Sequence, residues 1–175
     1  MLDTITKANA SDFDAIWQLY ADVCEHQAQD AYGAKWTIGV YPTESDIRAH
    51  IDAGELYVGW SGGQPVAAMV LVGHEDPEYA SVPWKTPAAD DEVAVIHLLA
   101  VHPHARGLHA GAELVHEATL LSRAAGKRVM HLDVVPGNLA ASHIYVAEGY
   151  ELACTYQIYY EDTGLADFEM YELVL

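Results

Sequence analysis

A nearly continuous apolar run between Glu92 and Val101 constrains the fold of this chain more than any other segment. Within the run, only His97 interrupts a series of valine, isoleucine, leucine and alanine residues. A strand with apolar residues on both faces belongs in the middle of a sheet that is covered on both sides, which is typical of folds that combine helices with strands. The run therefore predicts a central strand over 92–101 in a mixed α/β fold.

The first third of the chain contains two helix signals. Apolar residues at helical spacing predict a helix over 13–24, and Ser11 with Asp14 resembles a capping box at its start. Thr43 is predicted to cap a second, shorter helix that Gly54 ends. Between the two helices, residues 28–42 lack a clear period and are predicted to form a loop.

The other elements follow from the same periodicities and from glycine-rich turns. Strands are predicted over 2–6, 55–60, 65–73, 129–134, 150–160 and 168–175, and helices from Gly107 or Leu108 to Ala125 and from Asn138 to Gly149. Turns at 61–64 and 162–164 join neighbouring strands, and 74–91 is a second irregular loop. The predicted order is β-α-α-β-β-β-α-β-α-β-β, with some parallel pairing where the late helices cross over. The 175 residues suit a single domain over 1–175.

The composition excludes some classes of protein. A formal net charge of −18 is too acidic for a general nucleic-acid binder. No apolar stretch approaches the roughly 20 residues of a membrane span, and the first residues lack a signal-peptide pattern. We therefore expect a cytoplasmic protein without nucleic-acid or membrane partners. Cys24 and Cys154 have no metal or redox spacing and are expected to be reduced.

One segment departs from the acidic average. Residues 102–132 contain Arg106, Arg123, Lys127 and Arg128 against Glu113 and Glu117, which gives a formal charge of +2. The segment follows the central strand, and its glycine-containing turn opens a helix whose first N–H groups and positive dipole end can bind a pyrophosphate. Arg106 would add a fixed cation. The sequence of the turn alone is equally consistent with a tight strand-to-helix connection that binds no ligand.

Two motifs in this part of the chain resemble those of one family. Val101-His102-Pro103 followed by Arg106-Gly107-x-x-x-Gly111-Ala112 resembles the acetyl-CoA motif Gln/Arg-x-x-Gly-x-Gly/Ala of the GCN5-related N-acetyltransferase (GNAT) family, although His109 stands where that motif has its first glycine. Asn138-x-x-Ala141-x-x-x-Tyr145-x-x-x-Gly149-Tyr150 resembles a second motif of the family. The resemblance extends over nearly all of the chain and is weakest over residues 1–60.

The resemblance implies an enzyme, an N-acetyltransferase of the EC 2.3.1 type that uses acetyl-CoA and no metal. It implies that the backbone of Leu99, Ala100 and Val101 pairs with the pantetheine arm, and that an N–H near Leu99 polarises the thioester carbonyl. Asn138 would bind the same arm. The residues implied at the pyrophosphate are Arg106, Gly107, Leu108, His109, Ala110, Gly111 and Ala112. His102, His104, His109 and His116 form no compact ligand set, so we expect no metal site.

The resemblance also implies catalytic roles. Tyr145 matches the family position that often donates a proton to the leaving thiolate, and its alternative is a half-buried core tyrosine. His97 is the leading candidate base, since the same strand of arylalkylamine-type acetyltransferases has a histidine that takes part in proton removal. A core histidine remains the alternative for His97. Glu92 and a chain of water molecules are further candidates for the base.

The sequence does not determine which amine accepts the acetyl group. Trp36, Tyr41, Tyr79 and Trp84 fall in the two irregular loops, which would cover the acceptor side in this fold and which resemble those of a bacterial subgroup of small acetyltransferases. Aromatic walls with carboxylates suit a cationic amine, although Trp36 is equally suited to anchoring its loop in the core. A small-molecule amine, a protein N-terminus or lysine, and a non-catalytic acyl-CoA sensor all remain possible readings. Family analogy also allows a homodimer.

Overall fold

A computed structural model describes residues 1–27, 29–30, 33–161 and 163–175 of the chain. The predicted loop over 28–42 and the predicted turn over 162–164 therefore each include residues outside the described part, namely Ala28, Ala31, Tyr32 and Asp162. The described elements are β1 (Thr4–Lys7), α1 (Phe13–Gln27), α2 (Glu44–Asp52), β2 (Leu56–Ser61), β3 (Gln64–Val72), β4 (Val93–Val101), α3 (Ala110–Ala124), β5 (Val129–Val134), α4 (Leu139–Glu148), β6 (Glu151–Tyr160) and β7 (Gly164–Val174). This order confirms the predicted one.

The chain divides into two compact units, and β4 and α3 each contribute to both. The first unit comprises Met1–Leu71 and His97–Leu114, and the second comprises Val72–Ile96 and Val115–Leu175. The assignment of the whole chain to one domain stays a prediction. Among the described residues, seven strands form a mixed sheet in the order β1-β2-β3-β4-β5-β7-β6. Within the described ranges, no helix combines the length and the apolar character that crossing a bilayer requires.

In the first unit, β1, β2 and β3 pair in antiparallel fashion. The β2–β3 hairpin turns at Gly62 and Gly63, whose φ angles of +57° and +74° are those that glycine adopts without steric cost. The chain leaves β4 through a bond from the His102 N–H to the Val66 carbonyl of β3. Thr43 caps α2 as predicted, and its hydroxyl accepts the Asp46 N–H at 3.1 Å.

In the second unit, β4 and β5 are parallel, whereas β5–β7 and β7–β6 are antiparallel. The β4–β5 ladder comprises the pairs Val93–Val129 to Val95–His131 and ends two residues before His97. The helical crossover α3 makes this parallel pairing possible, as the sequence predicted. One face of the sheet in this unit carries a core that includes Val95, Ile158, Met170 and the loop residue Tyr79.

Three predicted boundaries were wrong, each for a local reason. The capping box before α1 belongs to Asn9 and Asp12, because the Asn9 side chain accepts the Ser11 N–H and the Asp12 carboxylate accepts the Asn9 N–H. Helix α3 begins at Ala110 instead of Gly107 or Leu108, because His109 has a left-handed φ of +63° that no α-helix contains. Strand β7 begins at Gly164, since its pairing with β6 extends to Tyr160.

Candidate active site

The turn between β4 and α3 has the backbone shape that its motif predicts. A short 3₁₀ turn over Pro103–Ala105 leads into residues 106–109, which are all exposed. Gly107 has a φ of +76° and His109 a φ of +63°. Glycine adopts this left-handed region most easily, which explains why the related motif has glycine where this chain has His109. The histidine therefore preserves the backbone path that the glycine would give.

The start of α3 presents the donors that an anion requires. The first helical bond runs from the Glu113 N–H to the His109 carbonyl at 3.0 Å. The N–H groups of Ala110, Gly111 and Ala112 come before that bond, so they have no acceptor within the helix. Together with the positive end of the helix dipole, they fit a pyrophosphate. Gly107 and Leu108 precede the helix, and the Leu108 N–H donates to the Ala105 carbonyl, so their part in binding the pyrophosphate stays a prediction.

The predicted cation at this turn is already paired. Nη1 of Arg106 lies 2.7 Å from Oδ2 of Asp30, and Nε2 of His26 lies 3.7 Å from Oδ1 of the same carboxylate. Two other cations of the basic segment, Lys127 and Arg128, contact residues of the second unit. Lys127 donates to the carbonyls of Gly73 and Asp91, and Arg128 lies 3.8 Å from Glu92. Three of the four cations of the basic segment therefore have partners, and Arg106 is the one that lies at the turn itself.

Strand β4 contains a backbone outlier beside the predicted thioester contact. Leu98 is buried within the strand and has a φ of +51°, although it is not a glycine. Its carbonyl oxygen accepts a hydrogen bond from the Tyr20 hydroxyl at 2.8 Å. Ala100 is buried, whereas Leu99 and Val101 are half-buried. Outliers of this kind cluster at functional sites, since the surrounding structure must hold them in place.

Two of the four predicted acceptor aromatics gather around Tyr20 in the first unit. The ring of Trp36 lies 6.1 Å from that of Tyr20 and 6.4 Å from that of Tyr41, and the Trp36 carbonyl accepts from the Gln27 side chain. Burial, with smaller contributions from Tyr41 and Cys24, raises the pKa of Tyr20 well above its usual value. Sequence analysis missed Tyr20, because a tyrosine on the apolar face of a helix looks like ordinary core packing.

The two candidate bases have different settings. His97 is half-buried within β4. Glu92 lies in a 3₁₀ turn just before β4, where its carboxylate accepts the Ala89 N–H at 2.8 Å and faces Arg128. These contacts show that the Glu92 carboxylate stabilises the turn before β4. His97 therefore remains the leading candidate for the catalytic base.

The second motif lies in the second unit and shapes helix α4. Oδ1 of Asn138 accepts the Ala141 N–H at 3.3 Å and so caps the helix, which Gly149 ends with a φ of +106°. Tyr145 is buried on α4, with its ring 5.5 Å from that of Tyr150. Burial, and to a smaller extent the charge of Asp133, raises the pKa of Tyr145 well above its usual value. The hydroxyl of Tyr145 therefore stays protonated at any physiological pH.

A carboxylate that sequence analysis missed organises the loop aromatics of the second unit. Oδ2 of Asp133 accepts the hydroxyl of Tyr79 at 2.6 Å and that of Tyr160 at 2.9 Å. Burial and the nearby Asp133 charge raise the pKa of both tyrosines. Trp84 packs edge-on against Tyr79 at 5.6 Å and stacks on His131 at 3.7 Å. The one signal in the sequence was an aspartate within the apolar run of β5.

The predicted site residues thus fall into two groups. The first unit contains His97, Leu99, Ala100, Val101, Trp36, Tyr41 and the turn residues Arg106, Gly107, Leu108, His109, Ala110, Gly111 and Ala112. The second unit contains Glu92, Tyr79, Trp84, Asn138 and Tyr145. In the part of the chain that is described, no three histidine, cysteine, aspartate or glutamate side chains come together in a way that could hold a metal ion.

A mixed sheet whose fourth strand leads into a helix start that fits a pyrophosphate points to one class, the acyl-CoA-dependent transferases. A family model, the acetyltransferase (GNAT) family, matches residues 13–150. The chain belongs to the GNAT family of acetyltransferases. It is an enzyme of that class, and acetyl-CoA is the co-substrate of the family.

Solved structures show the same fold. A GNAT-family acetyltransferase from Streptococcus agalactiae is 17% identical with a TM-score of 0.76, and the match covers 100% of this chain and 98% of that one. A ribosomal-protein-alanine N-acetyltransferase from Brucella melitensis is 17% identical with a TM-score of 0.73, covering 98% and 99%. YncA from Salmonella typhimurium, assigned as an acetyltransferase and solved with its cofactor acetyl-CoA, is 18% identical with a TM-score of 0.69, covering 98% and 93%. No curated protein matches the sequence significantly.

Proposed function

We propose that this enzyme acetylates the primary amine of a small, cationic molecule by direct attack in a ternary complex. The observation that carries the choice of acceptor is the Asp133 carboxylate with its two tyrosine hydroxyls and the neighbouring ring of Trp84. A carboxylate among aromatic rings favours an organic ammonium through both charge and ring quadrupoles. The formal charge of −18 adds a long-range attraction for cations.

The first-unit residues serve the acyl donor. Acetyl-CoA supplies an acetyl group activated as a thioester. The N–H groups of Ala110, Gly111 and Ala112 and the guanidinium of Arg106 bind its pyrophosphate, and the strand residues Leu99 to Val101 bind the pantetheine arm. The Leu99 N–H donates to the thioester carbonyl oxygen and favours the negative charge that develops there.

The reaction removes two protons from the acceptor nitrogen and adds one to the leaving sulfur. An alkyl ammonium has a pKa of about 10, so His97 removes the first proton from the acceptor to give a neutral amine. The amine nitrogen then bonds to the acyl carbon, the carbon–sulfur bond breaks, and the nitrogen releases its second proton to solvent, so the products are an N-acetylated amine and a thiol.

Tyr145 serves the leaving sulfur. Its raised pKa makes full ionisation of the phenol unfavourable, since a thiol has a pKa of only about 8.5. Its hydroxyl therefore stabilises the developing thiolate as a hydrogen-bond donor. The proton that the sulfur finally takes comes from solvent.

Two other readings of the function make different predictions. A protein N-terminus or lysine is the acceptor in the first, and the Brucella relative is named for a ribosomal-protein alanine, although 17% identity bears on the fold alone. In the second, the chain is a non-catalytic sensor of acyl-CoA, with His97 and Tyr145 purely structural.

The test is a thiol-release assay on a panel of small diamines, neutral amines and alanine-initiated peptides. We expect turnover with small cationic amines, and a KM for the amine that rises about tenfold in Asp133→Asn because one charge-assisted contact is lost. An asparagine oxygen can still accept one tyrosine hydroxyl, so the fold should persist. Asp167→Asn, an exposed change on β7 with the same loss of charge, is the control.

The outcomes separate the readings. Equal KM values in Asp133→Asn and Asp167→Asn would refute acceptor recognition by Asp133. Turnover confined to peptides would establish the protein acceptor. Saturable acetyl-CoA binding without turnover on any amine would establish the sensor.

We further propose a homodimer through the free edge of β6. Among the described strands, β6 pairs only with β7. The cross-strand pair Tyr159 and Leu165 leaves 64% and 65% of these residues exposed. An unpaired edge with apolar side chains favours association with a second strand. Light scattering after gel filtration should give a dimer mass for the wild type and a monomer mass for Tyr159→Lys, and a monomeric wild type would exclude the proposal.

A further inference from the structure

The left-handed backbone conformation of Leu98 requires a cause outside its own strand. Leu98 is buried in the interior of β4 and yet has a φ of +51°. A leucine has no local hydrogen bond that would favour this conformation, unlike asparagine or aspartate. Such a residue persists only where the surrounding structure determines its conformation.

Tyr20 provides that outside constraint. It is fully buried on α1, 78 positions before Leu98, and its hydroxyl donates to the Leu98 carbonyl oxygen at 2.8 Å. The ring of Trp36 packs beside it, and the ring of Tyr41 packs against that of Trp36. The raised pKa of Tyr20 keeps the hydroxyl a donor throughout the working pH range.

The geometry of the peptide bond transmits this constraint to the next residue. The Leu98 carbonyl and the Leu99 N–H belong to one planar trans peptide unit, so they point in opposite directions and rotate together. A hydrogen bond that fixes the carbonyl therefore fixes the direction of the Leu99 N–H. It also polarises the unit, which makes that N–H a stronger donor.

We propose that Tyr20 is a positioning residue that aims the Leu99 N–H at the thioester carbonyl of bound acetyl-CoA. The inference rests on the role proposed above for the Leu99 N–H. Tyr20 exchanges no proton in the reaction and touches no reacting atom. It keeps one peptide plane oriented before the substrate arrives, so that the donor needs no reorganisation during the reaction.

The primary test is Tyr20→Phe, which keeps the buried ring and removes the hydroxyl. Isotope-edited infrared spectroscopy of bound acetyl-CoA, labelled with ¹³C at the thioester carbonyl, reports directly on the hydrogen bond to that oxygen. We expect the wild-type protein to lower the carbonyl frequency relative to free acetyl-CoA, and Tyr20→Phe to restore much of the difference. The variant should lose about tenfold in kcat, with the acetyl-CoA Kd changed less than about twofold.

Tyr150→Phe is the matched control. Tyr150 is also a buried tyrosine, but its hydroxyl contacts the Met130 sulfur at 3.4 Å. Its loss should leave the carbonyl frequency at the wild-type value. A frequency in Tyr20→Phe that equals that of the wild type would overturn the inference and leave the proposed function standing. A wild-type frequency equal to that of free acetyl-CoA would overturn both the role of the Leu99 N–H and the inference.

A second variant covers the case in which Tyr20→Phe fails to fold. Incorporating 3-fluorotyrosine at position 20 retains the hydroxyl and the packing, and makes the phenol a stronger donor. The carbonyl frequency should then fall at least as far as in the wild type. A smaller fall than in the wild type would contradict the inference.

Discussion

The guanidinium of Arg106 and the carboxylate of Asp30 lie 2.7 Å apart, so the cation proposed to bind the pyrophosphate carries its own counter-ion. Both side chains are partly exposed, which limits the strength of the pair. An incoming pyrophosphate must share Arg106 with Asp30 or displace it. We therefore expect an acidic residue outside the recognised motif to set part of the affinity for acetyl-CoA.

Substitutions of Arg106 and of Asp30 should change the Kd for acetyl-CoA in opposite directions. We expect Arg106→Ala to weaken the Kd about tenfold through loss of a phosphate contact, and Asp30→Asn to tighten it about two- to fivefold through loss of the competing pair. Titration calorimetry measures both. Arg128→Ala removes an equal charge beyond the end of α3 and should leave the Kd unchanged. Weaker binding in Asp30→Asn would show that the pair assists the ligand instead of competing with it.

His109→Gly should stabilise the protein. Glycine adopts the left-handed φ of +63° without the Cβ clash, and we expect a gain of about 0.5–1 kcal/mol in the free energy of unfolding. Urea denaturation provides the measurement. His104→Gly, an exposed change in the same connection without a left-handed φ, should lose stability instead because it adds freedom to the unfolded chain and removes the ring contact with His102. A loss in both variants would mean that the His109 side chain makes a compensating contribution.

Tyr145→Phe should separate binding from turnover. Losing the hydroxyl removes a donor to the departing sulfur, so kcat should fall by about 10²-fold while the acetyl-CoA Kd remains near that of the wild type. Steady-state rates and titration calorimetry test the two halves of this expectation. Tyr150→Phe, whose ring packs against that of Tyr145, should keep nearly full activity. Equal rates in both variants would assign Tyr145 to the core alone.

Alkaline pH should unfold the chain through its buried tyrosines. Burial raises the pKa of Tyr20, Tyr79, Tyr145 and Tyr150 above the usual 10.0. Below pH 10 these residues are neutral in both states, and above it the unfolded chain releases protons that the folded chain retains. Each tyrosine should therefore remove about 1 kcal/mol of stability between pH 10 and pH 11, because the unfolded phenol goes from half to almost fully ionised over that interval.

Urea midpoints at pH 9 and pH 10.5, followed together with tyrosinate absorbance, measure this effect. Stability should fall with pH, and tyrosinate should appear together with unfolding. If all the tyrosines ionised near pH 10 while the chain stayed folded, the raised pKa of the four buried tyrosines would be contradicted.

Local patterns predicted most of the fold and the position of the turn between β4 and α3. Strand β4, the turn at Gly62 and Gly63, and the Thr43 cap each depend on residues close in sequence, so their chemistry is visible in the chain itself. The start of α3 was misplaced because the decisive left-handed residue is His109, and sequence rules associate that conformation with glycine.

Contacts between distant residues account for what the sequence did not reveal. Arg106 pairs with Asp30 across 76 positions, and Tyr79 reaches Asp133 across 54. Nothing in the neighbourhood of either residue encodes its partner. Ser11 is not the cap because a helical turn already begins at Ala10, so the side chain of Asn9 accepts both the Ser11 N–H and the Ser11 hydroxyl.

A single carboxylate oxygen of Asp133 receives hydroxyls from two separate parts of the chain, the loop residue Tyr79 and the β6 residue Tyr160. Because the donors share one acceptor, losing either lets the other take a stronger bond, and their energetic contributions do not add. The three positions are therefore epistatic, so the effect of a substitution at one depends on the residue at the others. Descendants of this enzyme that acquire a new acceptor should change them as a set.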